Sequence, residues 1–305
     1  MKRWVRNTAL VTGLLLVAGG AAYYWYLGDG DPPAAPPAKT FDLAAMRAKA
    51  DELPGGKALE IRVEKLADFA FPAVASVGGD GWNILPMGAY AYEIVLPADN
   101  VIIDAGITEE MAGSLGASID TGAVARLRSS MDSATQIVLT HEHGDHVGGI
   151  VEQDDPELIR KALRLNRQQV DGLDRYGLAL PAALTDYVPL DYEGMIAIAP
   201  GVVLVRAPGH TPGSQLIYVQ REDGREILFI GDIAWTMRNI ETGKGRPRLM
   251  SDLMLGEDRD EVFRQLSALG LLARSNPDLR IVPGHDSAAL DALIASGIMT
   301  AGFTQ

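Results

Sequence analysis

The chain has 305 residues, 47% of them hydrophobic and 22% charged, with a formal net charge of −13. That length holds one large or two small domains with an ample core, and the balance of apolar and charged residues is that of a globular protein. The acidic balance argues against a nucleic-acid partner, which needs a basic surface. The absence of cysteine excludes disulfides, thiolate metal sites and cysteine nucleophiles.

At the N-terminus, Lys2, Arg3 and Arg6 precede an uncharged stretch over 7–28, whose core at 8–27 is 20 residues long. As a helix it reaches about 30 Å, the thickness of the hydrocarbon layer. Tyr23, Tyr24, Trp25 and Tyr26 stand where an aromatic belt would lie, and the basic flank should stay cytoplasmic, placing the rest of the chain outside. Residues 1–28 are therefore expected to form a transmembrane signal anchor, with the following domain outside the cytoplasm (periplasmic in a Gram-negative cell). A cleaved signal peptide, leaving a secreted or periplasmic protein, is the competing reading, with Gly20-Ala21-Ala22 as a small-residue cleavage site. The apolar Tyr-Tyr-Trp-Tyr-Leu run that follows favours retention.

Residues 29–58 read as a linker, with Pro32-Pro33-Ala34-Ala35-Pro36-Pro37 as a semi-rigid spacer and a short helix over 43–53. The folded domain is expected over 59–305. Strand-like runs fall at 59–63, 73–77, 89–96 and 101–104, separated by turn signals such as Gly78-Gly79-Asp80-Gly81. A helix over 121–131 and a strand over 135–139 come next. Residues 156–176 are rich in helix formers, and helical or irregular character continues to about 190. Further strands are expected at 195–198, 202–206, 216–219 and 226–230. An amphipathic helix follows over 258–274, with Val262, Leu266, Leu269 and Leu272 on one stripe, then a strand at 279–282 and a helix at 288–298. Strands, helix, helical insert, strands and helices in this order predict two packed sheets with helices outside.

The strand over 135–139 leads into His141-Glu142-His143-Gly144-Asp145-His146, which holds three of the five histidines of the chain. In extended backbone alternate side chains point the same way, so His141 and His143 can grip one ion, while Gly144 permits a turn that aims Asp145 and His146 at a second position. Imidazole with carboxylate is the donor set for a borderline metal such as Zn²⁺. The other two histidines, His210 in Pro208-Gly209-His210 and His285 in Pro283-Gly284-His285, also follow strands, as does Asp232 in Gly231-Asp232. Ligands collected at strand ends from distant sequence are how a rigid scaffold builds a site.

These residues resemble those of the metallo-β-lactamase-fold superfamily of metallohydrolases, over 59–301 and through a specific His-x-His-x-Asp-His signature. The resemblance implies a four-layer αββα sandwich with a two-metal cleft. His141, His143 and His210 would hold one Zn²⁺ (or another divalent transition metal); Asp145, His146 and His285 would hold the second, and Asp232 would bridge them. Asp104 matches a carboxylate that orients a ligand histidine. Two Zn²⁺, the carboxylates of Asp145 and Asp232 and a bridging hydroxide leave about one positive charge to stabilise an oxyanion, and metal-bound water ionises near pH ~7. The chemistry implied is hydrolysis of a small ester or lactone, with Asp145 and Asp232 as the catalytic carboxylates.

Within the superfamily the bridging Asp232, the helical insert and the short tail resemble the quorum-quenching acyl-homoserine lactonase branch. An iron-dependent persulfide-dioxygenase-like oxidoreductase and a glyoxalase II-type thioesterase are the alternatives; the Arg- and Cys-containing segment of the first and the C-terminal domain of the second are not found. Lactonases of this branch often present Tyr three residues after the bridging Asp, where this chain has Trp235. Walls of the substrate pocket are expected from Trp82, Tyr90 and Trp235, from an insert over 151–190, and from a mobile flap over 235–255. Arg160, Arg164 and Arg167 are spaced to share one helical face. The sequence leaves substrate and oligomeric state open.

Overall fold

The structure, a computed structural model, describes residues 3–32 and 40–304; most of the Pro-rich spacer, 33–39, lies outside the described residues. A helix, Arg3–Tyr23, continues into one wide turn, Tyr24–Gly28. Among the described residues it is the one helix long and apolar enough to cross a membrane, and the side chains from Val11 to Tyr26 are exposed.

The first sheet is built on two long antiparallel strands, β1 (Glu60–Pro72) and β2 (Ile84–Val95). Both run well past the expected 59–63 and 89–96. Charged Lys65 and Asp68 interrupt the apolar pattern, but a register shift between Lys65 and Ala67 lets pairing resume. The run at 73–77, expected as a strand, instead includes a helical turn, Ala73–Ser76. Pro72 pairs with Ile84, so the chain must reverse between them, and a short apolar run carries no period that tells strand from helix.

Further strands are β3 (Asn100–Ile103), β4 (Ser118–Ile119), β5 (Gln136–Val138), β6 (Met195–Ala199), β7 (Val202–Arg206), β8 (Gln215–Gln220), β9 (Glu226–Gly231), β10 (Leu279–Pro283) and β11 (Thr300–Ala301). One sheet has the order β11-β1-β2-β3-β5 with β4 pairing β1, and the other β10-β9-β8-β7-β6. Alternation along the strands divides the core. Ile61, Val63, Ile94 and Val101 face Val202, Leu204, Ile217 and Phe229 between the sheets. Val203, Val205, Leu228 and Ile230 turn outward onto Val262, Leu266 and Leu269 of the helix Arg259–Ser275. The outer face of the first sheet is covered by Ala123, Leu127 and Met131 of the helix Thr121–Ser133, and by the insert. The result is the four-layer αββα sandwich.

The short helix Leu43–Ala50 buries Leu43, Met46 and Ala50 against the second sheet, so the packed unit begins ahead of β1. Within the insert, the arginine stripe does not form. The helix Pro156–Arg160 stops, Leu163 bridges to Ile137 beside β5, and Asn166 caps a new helix, Arg167–Gly172. Arg160 is instead ion-paired with Glu157 and Asp186.

Candidate metal centre

Five strands deliver their ends to one edge of the sandwich. His141 follows β5, His210 follows β7, Asp232 follows β9, His285 follows β10 and Asp104 follows β3. Parallel pairing of β3 with β5 and of β9 with β10 makes these ends coincide. Gly284 must be glycine, because a Cβ there would collide with Asp232 Oδ1.

The expected ligands converge as two groups. His143 Nδ1 lies 3.1 Å from His141 Nε2 and 3.0 Å from His210 Nε2. Burial holds the His141 and His143 imidazoles well below their ordinary pKa, so both are neutral. His143 Nδ1 can donate to one of its neighbours but not to both, and the three nitrogens with an Asp232 oxygen lie within 4.8 Å of one another, close enough to share one cation. In the second group His285 Nε2 is 3.4 Å from Asp145 Oδ2, and His146 Nε2 is 3.9 Å from the same oxygen.

Asp232 lies between the groups. Its Oδ1 is 3.1 Å from His285 Nε2 and 3.5 Å from His146 Nε2, whereas Oδ2 is 3.6 Å from His210 Nε2 and 3.9 Å from His141 Nε2. His146 Nε2 and Asp232 Oδ1 are buried without a hydrogen-bond partner. Burial opposes the Asp232 charge, but His285, His146 and His141 outweigh it and hold the carboxyl well below the usual range. Burial likewise opposes charge on His146 and His285. The nearby carboxylates, chiefly Asp104 for His146 and Asp232 for His285, raise both. The cluster therefore calls for positive charge between its carboxylates while presenting neutral imidazole lone pairs beside them, which is the demand of a cation site.

The outer ring nitrogens are fixed by hydrogen bonds. His146 Nδ1 meets Asp104 Oδ2 at 2.8 Å, His285 Nδ1 meets Gly88 O at 2.8 Å, and His210 Nδ1 meets Glu257 Oε1 at 2.5 Å. His141 Nδ1 is 3.2 Å from Thr140 Oγ1, which in turn reaches Asp104 Oδ2 at 2.9 Å. These contacts aim each Nε2 inward. Asp104 is the one described non-glycine residue with positive φ, at 60°, a conformation Asp tolerates better than most residues. Glu142, between His141 and His143, points the other way and accepts from Thr211 Oγ1 and Gly213 N at 2.7 and 3.1 Å, joining the motif to the His210 loop.

Two contributors carry no sequence signal. Glu257 is ion-paired with buried Arg246, which also donates to the Asp232 carbonyl at 2.7 Å and lies over the Trp235 ring at 5.0 Å. Burial works against the Glu257 charge, yet Arg246 and His210 hold its carboxyl below the usual range. The residues expected as a flap form a helix, Met237–Thr242, and a turn, Leu249–Leu255; the connection between them is pinned by these bonds and by Arg259 Nη1 donating to Arg246 O at 2.7 Å.

Above the cluster opens a cavity of about 410 Å³. His143, Asp145, Asp232 and His285 form its floor, and its walls include Phe69, Phe71, Met111, Tyr176, Trp235 and Met250. Of the three expected pocket residues only Trp235 lines it. Its indole N–H donates to Asp232 Oδ2 at 2.6 Å and so is already engaged, while the ring stacks on Phe71. Tyr90 belongs to the core between the sheets, its hydroxyl 2.8 Å from Ser287 Oγ, because β2 alternation turns it inward. Trp82 is exposed and donates to Tyr23 at 3.4 Å. The phenol at the cavity is Tyr176, packed edge-on against His143 at 4.4 Å; burial pushes its pKa up to about 12.

Residues 85–285 match the sequence pattern of the metallo-beta-lactamase superfamily. An N-acyl homoserine lactonase of Bacillus sp is 29% identical over 108 residues, 34% of this chain and 40% of the lactonase. A beta-lactamase-like protein 2 homolog of Caenorhabditis elegans is 28% identical over 177 residues, 56% of this chain and 51% of that protein. The chain thus spans about two fifths to one half of the length of these relatives. Among solved structures, a quorum-quenching N-acyl homoserine lactone lactonase superimposes with a TM-score of 0.59 at 16% identity, covering 77% of this chain and 95% of the other. The dizinc quorum-quenching lactonase AidC does so with a TM-score of 0.52 at 15% identity, covering 77% and 92%. These superpositions show a shared fold. By sequence pattern and architecture, the chain belongs to the metallo-beta-lactamase superfamily.

Proposed function

We propose that the protein is a dinuclear, zinc-dependent hydrolase of lactones or esters with apolar acyl tails, carried at the outer face of a membrane. The observation that carries this reading is the pair of donor groups sharing Asp232 at the floor of an apolar cavity. His141, His143 and His210 would hold one ion, and Asp145, His146 and His285 the other. When bound, such a pair supplies Lewis acidity and a water that ionises near neutral pH. Of the two carboxylates at the cavity floor, Asp145 would take a proton from the attacking water and return it to the leaving alcohol, while Asp232 would join the two donor groups. Tyr176, kept protonated by its raised pKa, donates to the substrate carbonyl. Residues 1–28 act as the anchor, 29–58 as the link with its packed helix, and 59–305 as the hydrolase domain.

Phe69, Phe71, Met111 and Met250 favour an apolar tail over a charged one. At about 0.8 kcal/mol per buried CH₂, kcat/KM should rise about fourfold per methylene until the cavity is full. A series of lactones with butanoyl to decanoyl tails measures this. A flat profile, or a preference for charged short acids, contradicts the assignment.

Asp104→Asn keeps a side chain tolerant of positive φ but removes the charge facing His146 Nδ1. Zinc affinity of the group containing His146 should fall by about 10–100-fold, read by competition with a chromophoric chelator. An unchanged affinity would show that Asp104 only shapes the turn.

A further inference from the structure

We propose that the mouth of the apolar cavity lies in the headgroup layer of the bilayer, with Trp82, Ile84 and Leu253 immersed, so that acyl substrates enter from lipid. This rests on the membrane-anchor reading above. The end of the apolar helix is stapled to the domain without slack. Leu27 O accepts from Gly79 N at 3.0 Å, Gly30 O from Gly245 N at 2.9 Å, and Gly245 O from Gly78 N at 2.9 Å. Asp29 Oδ2 accepts from Arg248 Nε at 2.8 Å, and Arg248 itself covers the Trp25 ring at 4.2 Å.

The segments that receive the helix end also carry apolar side chains turned to the outside: Trp82, Ile84, Leu253 and Met254 are 59%, 63%, 65% and 64% exposed. Trp82 touches Tyr23 of the helix, beside the aromatic run that suits an interface. Met254 is at once exposed and part of the cavity wall. Leu85 and Leu255, the neighbours of Ile84 and Met254, join Phe71 and Trp235 in one apolar cluster behind the rim. The reacting end of the fold is close by. Gly88, whose carbonyl holds His285, is four residues along β2 from Ile84, about 13 Å. Exposed apolar side chains on the segments that hold the helix end, one of them also in the cavity wall, fit insertion into lipid.

The chain has no cysteine, so single nitroxide labels can be placed on Ile84→Cys, Leu253→Cys and Asp99→Cys in the full chain, reconstituted into phosphatidylcholine–phosphatidylglycerol vesicles. Asp99 lies beyond the other end of β2, about 35–40 Å from Ile84 at the strand's extended rise. Labels at 84 and 253 should collide with oxygen in preference to a water-soluble nickel chelate, with nickel collisions at least about fivefold below those at 99. Equal nickel access at all three sites in a chain that floats with the vesicles overturns the immersion alone. Protection of 84 and 253 from both reagents, as in a contact between two copies, also overturns it. A chain that does not float removes the anchor reading as well. In parallel, the I84E/L253E variant should hydrolyse a decanoyl lactone held in vesicles about tenfold more slowly than wild type, with a soluble butanoyl lactone unaffected. An equal effect on both substrates contradicts entry from lipid. A wild type that cleaves neither refutes the hydrolase reading, while the labels still decide the immersion.

Discussion

Asp232→Asn will remove one metal ion per chain and lower kcat/KM about a thousandfold, about 4 kcal/mol of transition-state stabilisation. The direction follows from the hydrogen bond of Trp235, whose indole N–H donates to Asp232 Oδ2 at 2.6 Å. An asparagine keeps its carbonyl on that side, so its NH₂ takes the place of Oδ1, beside His285 Nε2 and His146 Nε2. A donor there repels a cation. The ion lost should therefore be the one of the Asp145, His146 and His285 group, with the His141, His143 and His210 group still loaded. Metal analysis of the folded variant, checked by circular dichroism, reads this directly. Retention of both ions with full activity would show that Asp232 does not span the two groups.

Arg246→Ala will destabilise the folded protein by about 3–5 kcal/mol, because it leaves the Glu257 carboxylate buried without its cation. Arg246 also ties the Asp232 backbone carbonyl to the segment that forms the cavity wall, so the loss extends to the site. Urea unfolding of the metal-free chain measures the effect without interference from bound ions. The R246M/E257Q double variant should recover much of it, since the uncompensated charge is gone. Strict additivity of the single changes would mean that the pair is not coupled.

The six residues from His141 to His146 were legible because the chemistry of the site is local there: alternation along an extended chain, then a glycine turn. His210, Asp232 and His285 could be found because each follows an apolar strand with glycine beside it. The sandwich itself was legible from the order of strands and helices. The supporting contacts were not, because they are made by tertiary packing. Glu257 meets His210 across 47 positions in sequence, and nothing in its surroundings distinguishes it from a surface carboxylate. Tyr176 went unmarked for the same reason, since only the folded insert lays its ring against His143. Tyr90 turns into the core by alternation along β2, and Trp82 lies in the turn ahead of β2, exposed beside Tyr23, so neither reaches the cavity. The arginine stripe assumed one continuous helix, whereas the edge pairing of Leu163 with Ile137 breaks it.

The proposed hydrolase requires two zinc ions, one in each donor group. Metal analysis of the purified chain before and after dialysis against a chelator, followed on an acyl lactone, tests it most directly. Two zinc ions per chain are expected, with loss of hydrolysis on their removal and recovery when zinc is returned. Fewer than one metal ion per chain, or hydrolysis indifferent to the chelator, contradicts the proposal.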